Sequence, residues 1–241
     1  MDKLIFTAVS GAEHTLRAQQ VHANNLANMD TPGFRANLEL VTTQSLGGYG
    51  YDDRHMARTQ ADAISTKPGS VRETGRPLDV AINGNGYFAV EFGGNEAYTR
   101  AGAIDIDANG ALSVSGRPLL GEGGPIVLPP HSAVEVGTDG TVSVMAEGAT
   151  TMQVIDKLRL VNAEGPELTK NEAGLIVARN GNPLEADANI TVRARALEGS
   201  NVSAVEEMVA TMALNRSFEL QMKLFQAGDK MNEAGNRLLG A

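Results

Sequence analysis

From Ala213 the sequence falls into four consecutive heptads, ALNRSFE, LQMKLFQ, AGDKMNE and AGNRLLG. This period belongs to a helix, and a run this long constrains the fold more than any other feature of the chain. The first and fifth heptad positions give Ala213, Ser217, Leu220, Leu224, Ala227, Met231, Ala234 and Leu238, an apolar stripe. A second stripe runs beside it through Phe218, Met222, Phe225 and Leu239. The fourth position is always basic: Arg216, Lys223, Lys230 and Arg237. Upstream, "SNVSAVEE" supplies a start. Ser203 with Glu206 three residues on reads as a capping box, and Glu206 and Glu207 suit the positive end of the dipole. A helix of about 38 residues would be about 57 Å long.

The N-terminal end carries a matching pattern. Ile5, Val9, Ala12, Leu16, Gln19, Ala23 and Leu26 are spaced alternately by four and three, the seam of a coiled-coil-like helix with one polar position at Gln19. That helix is expected to end near Met29. Thr31 precedes Pro32 and is pushed towards extended geometry, while Gly33 is free to take positive φ. An intramolecular helix pair hides one stripe. The Phe218–Phe225 stripe is therefore expected to meet other subunits. Gly228 and Gly235 each cost about 1 kcal/mol in a helix interior, tolerable where another backbone packs closely.

Between the ends lies a Gly-rich β zone, from about Arg76 to Arg195. "LDVAINGNGYFAVEF" alternates and turns at Asn83–Gly86. "AIDIDANGALSVSG" and "AVEVGTDGTVSVM" repeat the device around Asp-Ala-Asn-Gly and Asp139-Gly140. These are hairpin signals. "VIDKLRLVN" and "NITVRARAL" add strands, and residues 37–75 read as extended and irregular, with "SLGGYGYDD" as a loop. The pattern predicts an α+β fold: a discontinuous, coiled-coil-like pair of terminal helices with an inserted, mostly antiparallel β domain. The expected division is 1–30 with 202–241 as the helical polymerisation domain, 31–75 with 190–201 as an extended connector, and 76–189 as a β-rich outer domain.

Composition excludes several functions. A net charge of −9 argues against a nucleic-acid or anionic-membrane surface, and the lack of Cys rules out disulfides and thiol chemistry. The first twenty residues do not form a cleavable secretory signal, and no apolar stretch approaches the roughly 20 residues of a membrane span. "DIDANG" opens like a calcium loop with Asp105, Asp107, Asn109 and Gly110, but the twelfth position is Gly116 where a bidentate Glu is required. A hairpin turn is the expected reading. "NGNGYF" leads into a strand and lacks the Lys-Ser/Thr of a phosphate loop, so a tight hairpin is expected there too. His14, His22, His55 and His131 show no metal-ligand spacing; His14 and His22 lie off the seam, on a surface or interface. No residue is positioned for catalysis, and no metal or cofactor is expected. The basic column has two open readings. It is either a solvated face, with Glu219–Lys223 and Glu233–Arg237 as supporting pairs, or a face turned to a channel or neighbour.

"NNLANMDTPGFRA", Asn24 to Ala36, resembles the N-terminal signature of the bacterial flagellar axial proteins, the rod, hook and hook-associated family. "SNVSAVEEMVATMALNRSFELQMK" resembles their C-terminal helix. "TGRPLDVAINGNGYFAV", "YTRAGAIDIDANGALSVSGRPLLGEGGPIVLP" and "TDGTVSV" are similar to the proximal-rod members, with distal-rod members next. The resemblance covers nearly the whole chain; the loop around Gly47 to Arg58 departs most. It implies a non-enzymatic subunit of the periplasm-spanning rod, exported without signal cleavage through the flagellar type III apparatus and polymerised helically with copies of itself and other rod subunits. It also implies a junction at Asn24, Asn25, Leu26, Ala27, Asn28, Thr31, Pro32, Gly33 and Phe34, where the inner helix turns outward. Asn25, Asn28 and Asp30 are expected to satisfy backbone groups there. The assembly interface is expected at Ile5, Val9, Leu16, Leu26, Phe218, Met222, Phe225 and Leu239. The alternatives are a distal-rod or hook-type subunit, or a periplasmic calcium- or glycan-binding β domain with oligomerising helices.

Overall fold

The computed structural model describes residues 2–45 and 55–239 and has the α+β architecture the sequence predicts. Two compact units emerge: residues 1–27, 37–63 and 203–241 form one, and residues 28–36 and 64–202 the other. The expected separate connector is instead divided between them. Residues 190–201 hold two strands of the second unit, and 37–63 cluster with the helices.

The first unit is built on helix α1, Asp2–Ala27, and helix α2, Ala204–Leu239. α2 starts as predicted: the Ser203 hydroxyl accepts from the Glu206 N–H at 3.5 Å and its carbonyl from the Glu207 N–H at 3.0 Å. The helices run antiparallel, because Gln19 meets Asn215 while Thr15 meets Gln221. The strands Asn37–Ser45 and His55–Ile64 pair into a small sheet of the same unit. His55 to Arg58, read from sequence as loop, are thus strand; residues 46–54 of that loop lie outside the described ones.

The packed face of α1 is displaced by one residue from the predicted seam. Gly11, Thr15, Ala18, His22 and Asn25 face inward, with Thr15 and Asn25 buried, whereas Val9 and Leu16 are 39% and 44% exposed. One residue on a helix is about 100° of rotation. On this face Thr15 and Gln221 share a bond at 3.3 Å and Gly11 gives Gln221 room, while Gln19, of the predicted seam, donates to Asn215 at 2.8 Å at the exposed edge of the contact. α2 reverses its predicted stripes in the same way. Phe218, Gln221, Phe225 and Gly228 lie on the α1 side, half-buried or buried, while Leu220 and Leu224 are 61% and 57% exposed.

The second unit is antiparallel β structure around two apolar clusters. The larger holds Val80, Ile82, Phe88, Val90, Ile104, Leu112, Val142 and Leu158, and the smaller Tyr87, Tyr98, Val161 and Leu168. Its main sheet places Leu160–Val161, Tyr87–Phe92, Asn95–Thr99, Ile176–Ala178 and Leu168–Lys170 side by side. Two predicted hairpins form: Ile104–Ile106 with Leu112–Val114, and His131–Val136 with Thr141–Ala146. The third does not. Val80–Asn83 pairs with Thr191–Ala194, and Tyr87–Phe92 with Asn95–Thr99, so the Asn83–Gly86 turn passes the chain between sheets. Gly86 at φ 134° reaches a region barred to other residues, and a Cβ there would sit 2.8 Å from Ile190 Cδ1.

Candidate functional site

The signature segment is held by its amides, separately in each unit. In the helical unit the buried Asn25 side chain accepts from the Asn37 N–H at 2.8 Å and donates to the Asn37 carbonyl at 3.1 Å. Asn24 Oδ1 accepts from the Asn37 amide at 3.1 Å. Asn25 Nδ2 also reaches Glu207 Oε1 at 3.4 Å, and His22 Nδ1 lies 2.5 Å from Glu207 Oε2. His14 Nδ1 sits 3.4 Å from Glu39. Both histidines therefore sit at contacts between elements, each facing one carboxylate.

In the β-rich unit the segment continues as a turn. The Thr31 N–H donates to the Asn28 carbonyl and its hydroxyl to Asn28 Oδ1, both at 3.2 Å. Gly33 has the positive φ expected, at 69°, and donates to the Glu198 carbonyl at 2.8 Å. Its φ is one reason for glycine and space is another: a Cβ would lie 2.2 Å from the Ala101 nitrogen. Asp30 is exposed and braces no backbone group among the described bonds, and the Asn28 amide oxygen takes the Thr31 hydroxyl, so of the three the Asn25 side chain is the one seen bracing backbone groups. Phe34 is covered by Lys170, whose Nζ lies 3.8 Å from the ring centroid and donates to the Arg35 carbonyl at 2.6 Å. Burial pushes the Lys170 amine down to about 8.

Next to the segment is a cluster that sequence reasoning missed. Arg35, Arg100 and Glu198 are each 2% exposed or less. Glu198 Oε1 lies 2.9 Å from Arg35 Nη2 and accepts from the Gly69 N–H at 2.8 Å; Oε2 lies 3.1 Å from Arg100 Nε. Arg35 donates to the Lys67 carbonyl and Arg100 to the Gly84 carbonyl. Burial lowers Arg100 to about 10, with Glu198 opposing the fall. A signal existed. Val192, Ala194, Ala196 and Glu198 alternate with Arg193, Arg195 and Leu197, which puts Glu198 in the inward register.

Other singled-out residues take structural places. Asp107 Oδ1 accepts from the Asn109 and Ala111 N–H groups, both at 2.8 Å, so the carboxylate closes the hairpin turn. Arg216, Lys223, Lys230 and Arg237 are all exposed, and the Glu219–Lys223 and Glu233–Arg237 pairs do not close among the described residues. Of the expected interface residues, Val9, Leu16 and Met222 are exposed, Leu26, Phe218 and Phe225 half-buried; the Ile5 and Leu239 side chains lie outside those described. Exposed apolar side chains continue along α2 as Val205, Val209, Met212, Leu220, Leu224 and Met231, with Phe6 added on α1.

Comparison with known proteins adds a second line. A family model described as flagella basal body rod protein matches residues 5–35, which include most of the signature segment. One described as flagellar hook protein FlgE/F/G D1 domain matches residues 81–144, and one described as flagellar basal body rod FlgEFG protein C-terminal matches 193–238. The chain is similar to the flagellar basal-body rod protein FlgF of Escherichia coli strain K12, 38% identical over 248 residues that cover 99% of each chain. The FlgF of Salmonella typhimurium strain LT2 matches to the same extent. The rod protein FlgG of Bacillus subtilis strain 168 is 27% identical over 96% of this chain and 97% of its own.

Proposed function

Because the chain belongs to the flagellar basal-body rod protein family and is a structural subunit of that rod, we propose that it works by polymerising through its helical unit. The observation that carries this is the apolar row on α2 that faces away from α1. Leu220 and Leu224 stay more than half exposed with α1 already in place. Their partners are then other copies or other rod subunits, in contacts that run head to tail and do not close. The helical units would form an inner layer around an export channel and the β-rich units an outer layer. Export of the chain through the type III apparatus belongs to the same reading, as does the absence of enzymatic activity. The proximal rod is the position we assign. The exposed basic column of Arg216, Lys223, Lys230 and Arg237 would face the channel or a neighbour.

The test is Leu220→Asp with Leu224→Asp. Each carboxylate would be buried unpaired in the contact, at a cost of several kcal/mol per subunit. The expected result is a folded, exported chain and cells without rods. Normal rods and motility in the double variant would remove this stripe from the interface. Lys223→Glu with Lys230→Glu tests the column; full motility would return those residues to a solvated role.

A further inference from the structure

We propose that Asn85 is a site of spontaneous deamidation, where the folded β-rich unit converts one asparagine to aspartate or isoaspartate with water as co-reactant. The chain has four Asn-Gly pairs: Asn83-Gly84, Asn85-Gly86, Asn109-Gly110 and Asn180-Gly181. In each, the glycine has no Cβ to hinder an approach to its own nitrogen. The first step is intramolecular. The Gly86 nitrogen attacks Cγ of Asn85, its proton leaves with the side-chain amide as ammonia, and a succinimide ring closes. Water then adds to one carbonyl of the ring or the other. Opening on one side leaves aspartate; opening on the other leaves isoaspartate, with the main chain routed through Cγ.

The fold separates the four pairs by what must break before the ring can close. Gly110 donates its N–H to the Asp107 carbonyl at 3.1 Å and Gly181 to the Ala178 carbonyl at 3.0 Å, so both nitrogens are committed. Asn180 Oδ1 also accepts from the Asn182 N–H at 3.0 Å. Asn83 pairs with Thr191 in the ladder, and its side-chain amide donates to the Thr191 hydroxyl at 3.3 Å. Asn85 differs. It is exposed, and its side chain, its carbonyl and the Gly86 N–H hold no hydrogen bond among the described residues. Arg100 donates to the Gly84 carbonyl, which anchors the peptide before Asn85 and leaves the one after it able to pivot. Gly86 is buried, but its nitrogen needs to reach only the side chain of the residue it is bonded to. The exposed face of Asn85 admits the water.

The test is a time course on the full-length chain in mildly alkaline buffer, with digestion and fragment mass spectrometry locating each deamidated residue. Asn85 is expected to lead Asn83, Asn109 and Asn180 by about five-fold for each hydrogen bond that those pairs must first break. In concentrated urea the four pairs should react at rates close to one another, because the fold is what separates them. Asn85→Ser, at an exposed position, removes the amide and should abolish most of the early ammonia released by the folded chain. Asn83, Asn109 or Asn180 reacting as fast as Asn85 in the folded chain would overturn the proposal. So would unchanged ammonia release from the Asn85→Ser chain, or an Asn85 that stays intact in the folded chain while it reacts in urea.

Discussion

At the scale of single residues, the signature is legible in sequence where backbone geometry dictates the residue. Gly33 is such a position. Gly33→Ala forces an L residue to positive φ and drives a Cβ into the Ala101 backbone. A loss of at least about 3 kcal/mol is expected, the sum of left-handed strain and overpacking. A urea midpoint unchanged from the parent would refute this account. Charged residues inside the fold are harder to read, because an Arg in a strand pattern looks solvated until its partner is located. Arg35 and Glu198 are far apart in sequence and meet only through the tertiary fold, so the cluster was invisible apart from Glu198's inward register. Lys170 gives a prediction in pH. Its amine is held at about 8 in the folded chain, below its ordinary 10.5, so the unfolded chain binds more protons between these values. Stability from this residue therefore rises with pH from about 8 towards 10, and its charge-burial penalty is fully present below 8. Comparing denaturant midpoints of the parent and Lys170→Met across that window should show the parent gaining on the variant as pH rises. A constant difference would mean that Lys170 does not titrate there.

At the scale of elements, the existence and type of both helices, the end of α1 and the start of α2 follow from periodicity, turn residues and capping, but the facing of the helices does not. α2 carries two apolar stripes, either of which could meet α1 by pattern alone. What decided between them was the match of Thr15 with Gln221 and of Gln19 with Asn215, a pairing across the chain that no local window contains. The turn at Asn83–Gly86 was misread for a similar reason. Its glycines announce a turn, while the strand partner, Thr191–Ala194, lies more than a hundred residues on. The facing can be tested in the free monomer. Phe225→Asp, on the α1 side, should cost the helical unit about 2 kcal/mol through lost apolar burial. Leu224→Asp, on the exposed side, should stay within about 0.5 kcal/mol of the parent. Helix melting followed at 222 nm distinguishes them, and equal effects would return the stripes to their sequence-based assignment.

At the scale of the whole molecule, two compact units with different interiors should unfold differently. The β-rich unit has two apolar clusters, whereas the helical unit joins its helices partly through polar side chains. The monomer should lose its 222 nm signal at a lower temperature than the near-ultraviolet signal of Tyr87 and Tyr98, both buried in the β-rich unit. Coincident melting curves would show one cooperative block instead. The polar helix contact also has a meaning for fidelity. An apolar seam repeats every heptad and tolerates sliding by one repeat, whereas this one does not. Slid by seven residues, Thr15 would face Leu214 or Gly228, and Gln19 would face Met208 or Met222. The buried Thr15 hydroxyl would keep the Gly11 carbonyl of its own helix but lose Gln221, and each cross-helix bond lost costs about 1 kcal/mol. The polar contacts thus act as a key with a single setting, and they hold the exposed side chains of α2 at one height along α1.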